Sequence, residues 1–261
     1  MATLADPMPP LRGSDDRFFR RGAIAMALVI VAGFSLNIVM GRSSFSAPPL
    51  VHAHALVFMG WVAIFVAQNV LATTGNLALH RRLGWLAAAW MMPMLVLGCL
   101  VTVNLLQQGR VPFFFLPLQF LVFDPLSLFA FAGLTVWAIV LRRRSDWHRR
   151  LHFTGMAMLL GPGVGRLLPM PLLAPYAFEA TFIATLVPPL IGMAADVRRS
   201  GRIHPAWLWG LAVMFGFLLA VETLTYGPLG ASLYTAITAG TPGASVAPLA
   251  FPPFPPGLPQ P

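Results

Sequence analysis

Histidine is the side chain best suited to proton, metal and haem chemistry near neutral pH, and this sequence holds six. Four of them lie within two residues of an arginine: His80 in "LHRRLG", His148 and His152 in "WHRRLH", and His204 in "RRSGRIHP". His148 and His152 are four residues apart, so a helix places them on one face. That spacing suits two ligands of one metal, or one haem ligand and its neighbour. It also suits plain polar residues at a membrane surface. The other two, His52 and His54, open an apolar run. His54, Trp61 and Gln68 recur every seven residues, two helical turns each, and form one stripe on a helix face. His52 points elsewhere. Polar groups in lipid need partners, so the stripe is expected to face protein, as a packed seam or as the wall of a ligand cleft.

A second set of polar residues lies in otherwise apolar surroundings: Asp124, Arg166, Glu179 and Glu222. Ionisable groups inside a membrane are costly and mark functional positions. Asp124 and Glu179 also suit helix starts, where acids complement the dipole, and Arg166 suits snorkelling to headgroups. The sharper expectation is that Arg166 pairs with Glu179, Glu222 or Asp124 and lines an outward-facing polar cavity.

The elements that must position these residues follow from composition. Of 261 residues, 57% are hydrophobic and 10% charged, and the mean hydropathy is +0.76. Soluble domains carry about 25% charged residues, so the chain belongs in a bilayer. An all-α integral membrane bundle of seven transmembrane helices is predicted, at 22–40, 51–74, 86–106, 125–141, 151–170, 176–196 and 205–226. The fourth is expected to start with Asp124 as cap and Pro125 at the first helical position. The preceding "VPFFFLPLQF" would then lie in the interface or re-enter. "GPGVGR" invites a kink in the fifth. Residues 1–21 read as a polar cytoplasmic segment. Residues 227–261, proline-rich and uncharged, read as a disordered extracytoplasmic tail.

All 17 basic residues are arginine. Fourteen fall in the N-terminal segment and in the loops after spans two, four and six. Only Arg42, Arg110 and Arg166 fall on the other side. The positive-inside rule then puts the N-terminus in the cytoplasm and the C-terminus outside. The net charge of +9 is thereby explained without nucleic acid. The lone Cys99 excludes an internal disulfide and a C-x-x-C-H haem attachment. Phosphate-loop, dinucleotide and nucleophile-elbow motifs are absent.

The stretch from His52 to Trp85, with "WHRRLHFTGMAMLLGPGVGRL" and "DVRRSGRIHPAWLWG", resembles an uncharacterised bacterial family of multi-pass membrane proteins with an H-R-x-L-G loop. More distantly the histidines at helix ends are similar to those of b-type haem membrane cytochromes. That resemblance implies haem b between His80 and His152, with His148 and His54 as further cofactor-binding candidates. Arg81, Arg82, Arg149 and Arg150 would then meet the propionates, since the arginine fork suits carboxylates. A quinone or another membrane redox protein would be the partner besides the lipid bilayer, in a bacterial cytoplasmic (inner) membrane. Two other functions fit the same residues: a non-enzymatic small-molecule carrier or sensor, and an assembly or accessory protein without a ligand.

Overall fold

The structure is a computed structural model that describes residues 12–43 and 45–254. The described residues form helices joined by short turns, with no strand. Ten are α-helices: α1 Arg12–Val39, α2 Pro49–Thr73, α3 Leu77–Gln107, α4 Pro117–Val140, α5 Ser145–Met158, α6 Gly161–Leu167, α7 Met170–Leu173, α8 Ala177–Ser200, α9 Pro205–Tyr226 and α10 Pro228–Thr238. Six of these (α1, α2, α3, α4, α8 and α9) contain stretches long and apolar enough to cross a membrane. The chain is a multi-pass membrane protein. α4 lies at the centre and packs on α3, α5 and α9. Its buried face includes Leu118, Leu121, Phe131, Leu134 and Ala138.

Proline chemistry sets several boundaries. α2, α4 and α9 each carry proline in their first turn, where its missing N–H is no loss. α4 therefore starts at Pro117, eight residues before the expected Pro125. Asp124 is not its cap: Pro125 lies inside the helix, and the Asp124 carboxylate accepts from the Thr102 hydroxyl of α3. "VPFFF" forms the preceding turn, where the Phe113, Phe114 and Phe115 rings touch one another and Phe115 packs on Phe123.

The expected fifth span, 151–170, is not one helix. Pro162 has no N–H to offer the Met158 carbonyl, and α5 ends at Met158. Two tightened bonds follow, Leu159 N–H to Met156 O (3.1 Å) and Leu160 N–H to Ala157 O (3.1 Å), before α6 resumes. Small residues let α6 lie directly on α1: a side chain on Gly33 would strike the Gly163 carbonyl, and one on Gly163 would come within 2.9 Å of the Ile30 Cα.

Both ends of the chain carry structure where they are described. α1 begins within the presumed N-terminal segment and continues unbroken into the apolar stretch, with Asp15 and Phe19 buried. The presumed disordered tail is folded as far as it is described. After α10, a 3-10 turn spans Pro242–Ser245. The Tyr234 hydroxyl meets the Val246 carbonyl (3.2 Å), Leu118 N–H donates to Pro248 O (2.9 Å), and Phe254 packs on Phe113. It is proline-rich, but a backbone bond to Leu118 of α4 holds it. Residues 255–261 lie outside the described residues.

Candidate functional site

A cleft of about 2100 Å³ opens at the arginine-rich end of the bundle, lined by residues of α1–α5, α8 and α9. Ligand pockets are typically about 300–1,000 Å³, so this one has room for a large ligand. The arginine-rich end thus carries a large cleft.

The two His-Arg-Arg-Leu loops build equivalent walls. α3 and α5 each begin three residues before the loop histidine, so His80 and His148 both sit fourth in their helices. Each Nδ1 reaches back to a carbonyl of the preceding helix: His80 to Gln68 O of α2 (3.2 Å), His148 to Ala138 O of α4 (2.8 Å). A carbonyl only accepts, so both Nδ1 atoms carry the proton. No hydrogen bond of either Nε2 is seen among the described residues, an arrangement also found where outer hydrogen bonds fix metal-binding histidines. The rings stand 6.3 Å apart, centre to centre, at 83°. His152 follows one turn further along α5, 4.6 Å from the His148 ring. The His148 ring thus neighbours both members of the expected His80–His152 pair.

The His54, Trp61 and Gln68 stripe faces the bundle. Trp61 is 3% exposed and meets the Phe131 ring edge to face. Gln68 lies against Gly84 of α3. Trp61 and Gln68 line the cleft, as does Thr135 of α4, which is 1% exposed. Trp61 Nε1, Gln68 Oε1 and Thr135 Oγ1 are buried and have no hydrogen-bond partner among the described residues. An unpaired buried polar group costs about 1–3 kcal/mol, and three border one cleft. His54 lies near the other end of α2, stacked on Phe58 at 4.1 Å, and does not join the inner histidines.

The Arg166 pair does not form. Its Nη1 donates to the Pro162 carbonyl (2.7 Å) and its guanidinium covers the Phe34 ring at 4.0 Å. Among the described residues no carboxylate lies within ion-pair distance of it. A cation–π contact stands where a carboxylate was expected, and Arg166 Nε is buried with no hydrogen-bond partner among the described residues.

The best-made ion pair was not visible in the sequence. Arg150 and Asp196, each 1% exposed, form a bidentate pair: Nε to Oδ2 at 2.9 Å and Nη2 to Oδ1 at 2.7 Å. The Trp207 indole also donates to Asp196 Oδ2 (2.8 Å), and Arg199 to Oδ1 (2.9 Å). Asp15 bridges Arg149 (2.7 Å) and Arg199 (3.0 Å). α1, α5, α8 and α9 are thereby locked together beside the cleft. The available signal was that Asp15, Asp146 and Asp196 fall within the arginine-rich segments. Arg149 and Arg150, expected at propionates, are committed to this lock, whereas Arg81 and Arg142 line the cleft mouth. His204 is structural: Nδ1 accepts from Ala206 N–H (3.1 Å) and Nε2 donates to Asp146 (2.8 Å), capping α9. Burial lowers its pKa against the pull of Asp146, which favours this neutral form.

No group of three or more His, Cys, Asp or Glu residues suited to a bare metal ion occurs among the described residues. No family model, no curated protein and no solved structure matches the chain.

Proposed function

We propose that this protein is a redox protein of a bacterial cytoplasmic membrane and that its cleft holds one b-type haem between His80 and His148. The observation that carries the reading is the matched pair of imidazoles, each with Nδ1 tied to a carbonyl and Nε2 left free. Two imidazoles are too few for a bare ion, which takes about four ligands, but they complete a porphyrin iron. The two rings stand 6.3 Å apart, centre to centre, and would hold the haem between them. Trp61, Phe65 and Trp85 supply apolar wall, and Arg81 and Arg142 supply cations at the mouth for propionates. A haem so held would supply one-electron transfer.

In this reading α5 and α6 together form a seventh, broken crossing. α5 meets α1 at Phe19, through Phe153, and α6 meets it at Phe34, through Arg166. Phe19 and Phe34 are 15 residues apart, roughly 22 Å along a helix. Seven crossings and the arginine distribution put the N-terminus in the cytoplasm and the C-terminus outside.

Titration of the detergent-purified protein with haem tests the assignment. Wild type takes up one equivalent per chain with a sharp Soret band. His80→Ala and His148→Ala each lose tight uptake, and His52→Ala, far from the cleft, does not. Equal uptake by all four proteins, or none by wild type, overturns it.

A further inference from the structure

Three arginines that line the cleft, Arg149, Arg150 and Arg199, are neutralised by Asp15, Asp16 and Asp196. Three others, Arg142, Arg143 and Arg144, are consecutive in the α4–α5 turn and exposed at the cleft mouth. Among the described residues no carboxylate lies within ion-pair distance of them. The acid beside them, Asp146, is taken by His204. Orienting a membrane protein requires cations on one side, not three unpaired ones at one point.

A line of aromatic rings leads from this turn to the side of the bundle. The Arg144 guanidinium lies 5.2 Å from the Trp147 ring centre. Trp147 stands 6.4 Å from Trp137 of α4, and Trp137 stands 5.8 Å from Trp209 of α9. Trp209 is 54% exposed. α4 ends and α9 begins at this end of the bundle, and the two helices pack together. Gly133 lies one turn before Trp137, and Gly216 lies two turns after Trp209. Each glycine therefore continues the face of its tryptophan away from the arginines, by about 6 Å and 10 Å. A Cβ on either glycine would meet nothing within 4 Å. The tryptophans thus head an open apolar furrow along α4 and α9.

We infer that the α4–α5 turn and this furrow bind one anionic phospholipid, its phosphate against Arg143 and Arg144 and one acyl chain along Trp137, Trp209, Gly133 and Gly216. The occupant follows from the two halves of the site. Guanidinium forks suit phosphate oxygens, and basic pockets between membrane helices take anionic headgroups. Tryptophan suits the depth at which headgroups give way to chains. A free phosphate would leave the furrow unused. A zwitterionic lipid would bring a cation of its own to the arginines. Arg143 and Arg144 are not among the residues assigned to the haem, so the two assignments are independent.

Quenching of tryptophan emission by brominated lipids tests the inference. The full-length protein is placed in phosphatidylcholine vesicles in which a fixed minor fraction of the lipid carries brominated chains, as phosphatidylglycerol or as phosphatidylcholine. Wild type is quenched more by the brominated phosphatidylglycerol. Arg143→Gln combined with Arg144→Gln lowers that preference at least about fivefold, the effect of one arginine at an anionic surface. Arg17→Gln combined with Arg21→Gln removes the same charge from exposed positions of α1 and leaves the preference intact. Gly216→Leu fills the furrow and lowers the preference with every arginine in place. Soluble glycerol phosphate does not reverse it. In phosphatidylcholine alone each variant unfolds at the wild-type temperature, which separates lost binding from lost folding. Equal quenching of wild type by the two brominated lipids overturns the inference. So does a wild-type preference in the Arg143 and Arg144 double variant or in Gly216→Leu. An equal loss in the two double variants reduces the effect to general surface charge, and reversal by glycerol phosphate makes it a free-phosphate site; either result overturns the inference too.

Discussion

Replacing Thr135 by valine should make the ligand-free protein more stable. Thr135 is 1% exposed, and its hydroxyl has no hydrogen-bond partner among the described residues. Folding therefore removes that hydroxyl from water without compensation, at about 1–3 kcal/mol by protein mutational data. Valine has the same branched shape and no such group. Taking the low end, about 1 kcal/mol, and the usual size scaling, the melting temperature should rise by roughly 2–4 °C. The matched comparison is Thr154→Val. Thr154 is equally buried, but its hydroxyl donates to the Arg150 carbonyl at 3.0 Å. Losing that bond should cost about 1 kcal/mol. The assay is thermal unfolding in one detergent, followed by circular dichroism at a fixed scan rate, since unfolding of such proteins is often irreversible. A fall in melting temperature for Thr135→Val as large as that for Thr154→Val would refute the reasoning. It would mean that the Thr135 hydroxyl is satisfied in the ligand-free protein.

Other outcomes follow from the lock, the helix contact and the topology. Arg150→Met leaves Asp196 buried without its bidentate partner and should cost about 3–5 kcal/mol, whereas Arg150→Met combined with Asp196→Leu should recover most of that; unfolding midpoints of the four proteins in the cycle decide it. Gly163→Val must push α6 off Ile30 of α1 and should destabilise by about 1–3 kcal/mol, while Gly216→Ala, in open space, should not; midpoints for the two that coincide would contradict the close α1–α6 contact. A reporter fused after Pro261 should be active only as an extracytoplasmic reporter, and cytoplasmic activity there would remove one crossing or reverse the orientation.

Local physics made much of this legible in the sequence. Apolar runs pointed to six helices long enough to cross a membrane, because the length requirement is set by the bilayer alone. Seven-residue spacing placed Trp61 and Gln68 on one face of α2, because helical periodicity does not depend on neighbours. Non-local choices were not legible. Asp124–Pro125 has the form of a helix start, yet Pro117 offered an earlier one, and Thr102 of another helix took the carboxylate. The charge rule counted Arg149 and Arg150 as orienting charges, and nothing local said that Asp15 and Asp196 would reach them. His148 and His152 were recognised as sharing a face, but which of them stands nearer His80 depends on how α3 and α5 pack. The proline-rich end looked unable to fold because its partners, Leu118 and Phe113, are more than a hundred residues away.

The most direct measurement is the visible spectrum of the protein purified from haem-replete cells, taken before and after reduction with dithionite. A haem axially held by His80 and His148 predicts a Soret band that sharpens and shifts on reduction, with resolved α and β bands of a low-spin, six-coordinate iron. Replacing either histidine by alanine should convert the iron to a high-spin spectrum or abolish the bands. A featureless visible spectrum from haem-replete wild type, or a low-spin spectrum that survives both alanine substitutions together, would contradict the assignment.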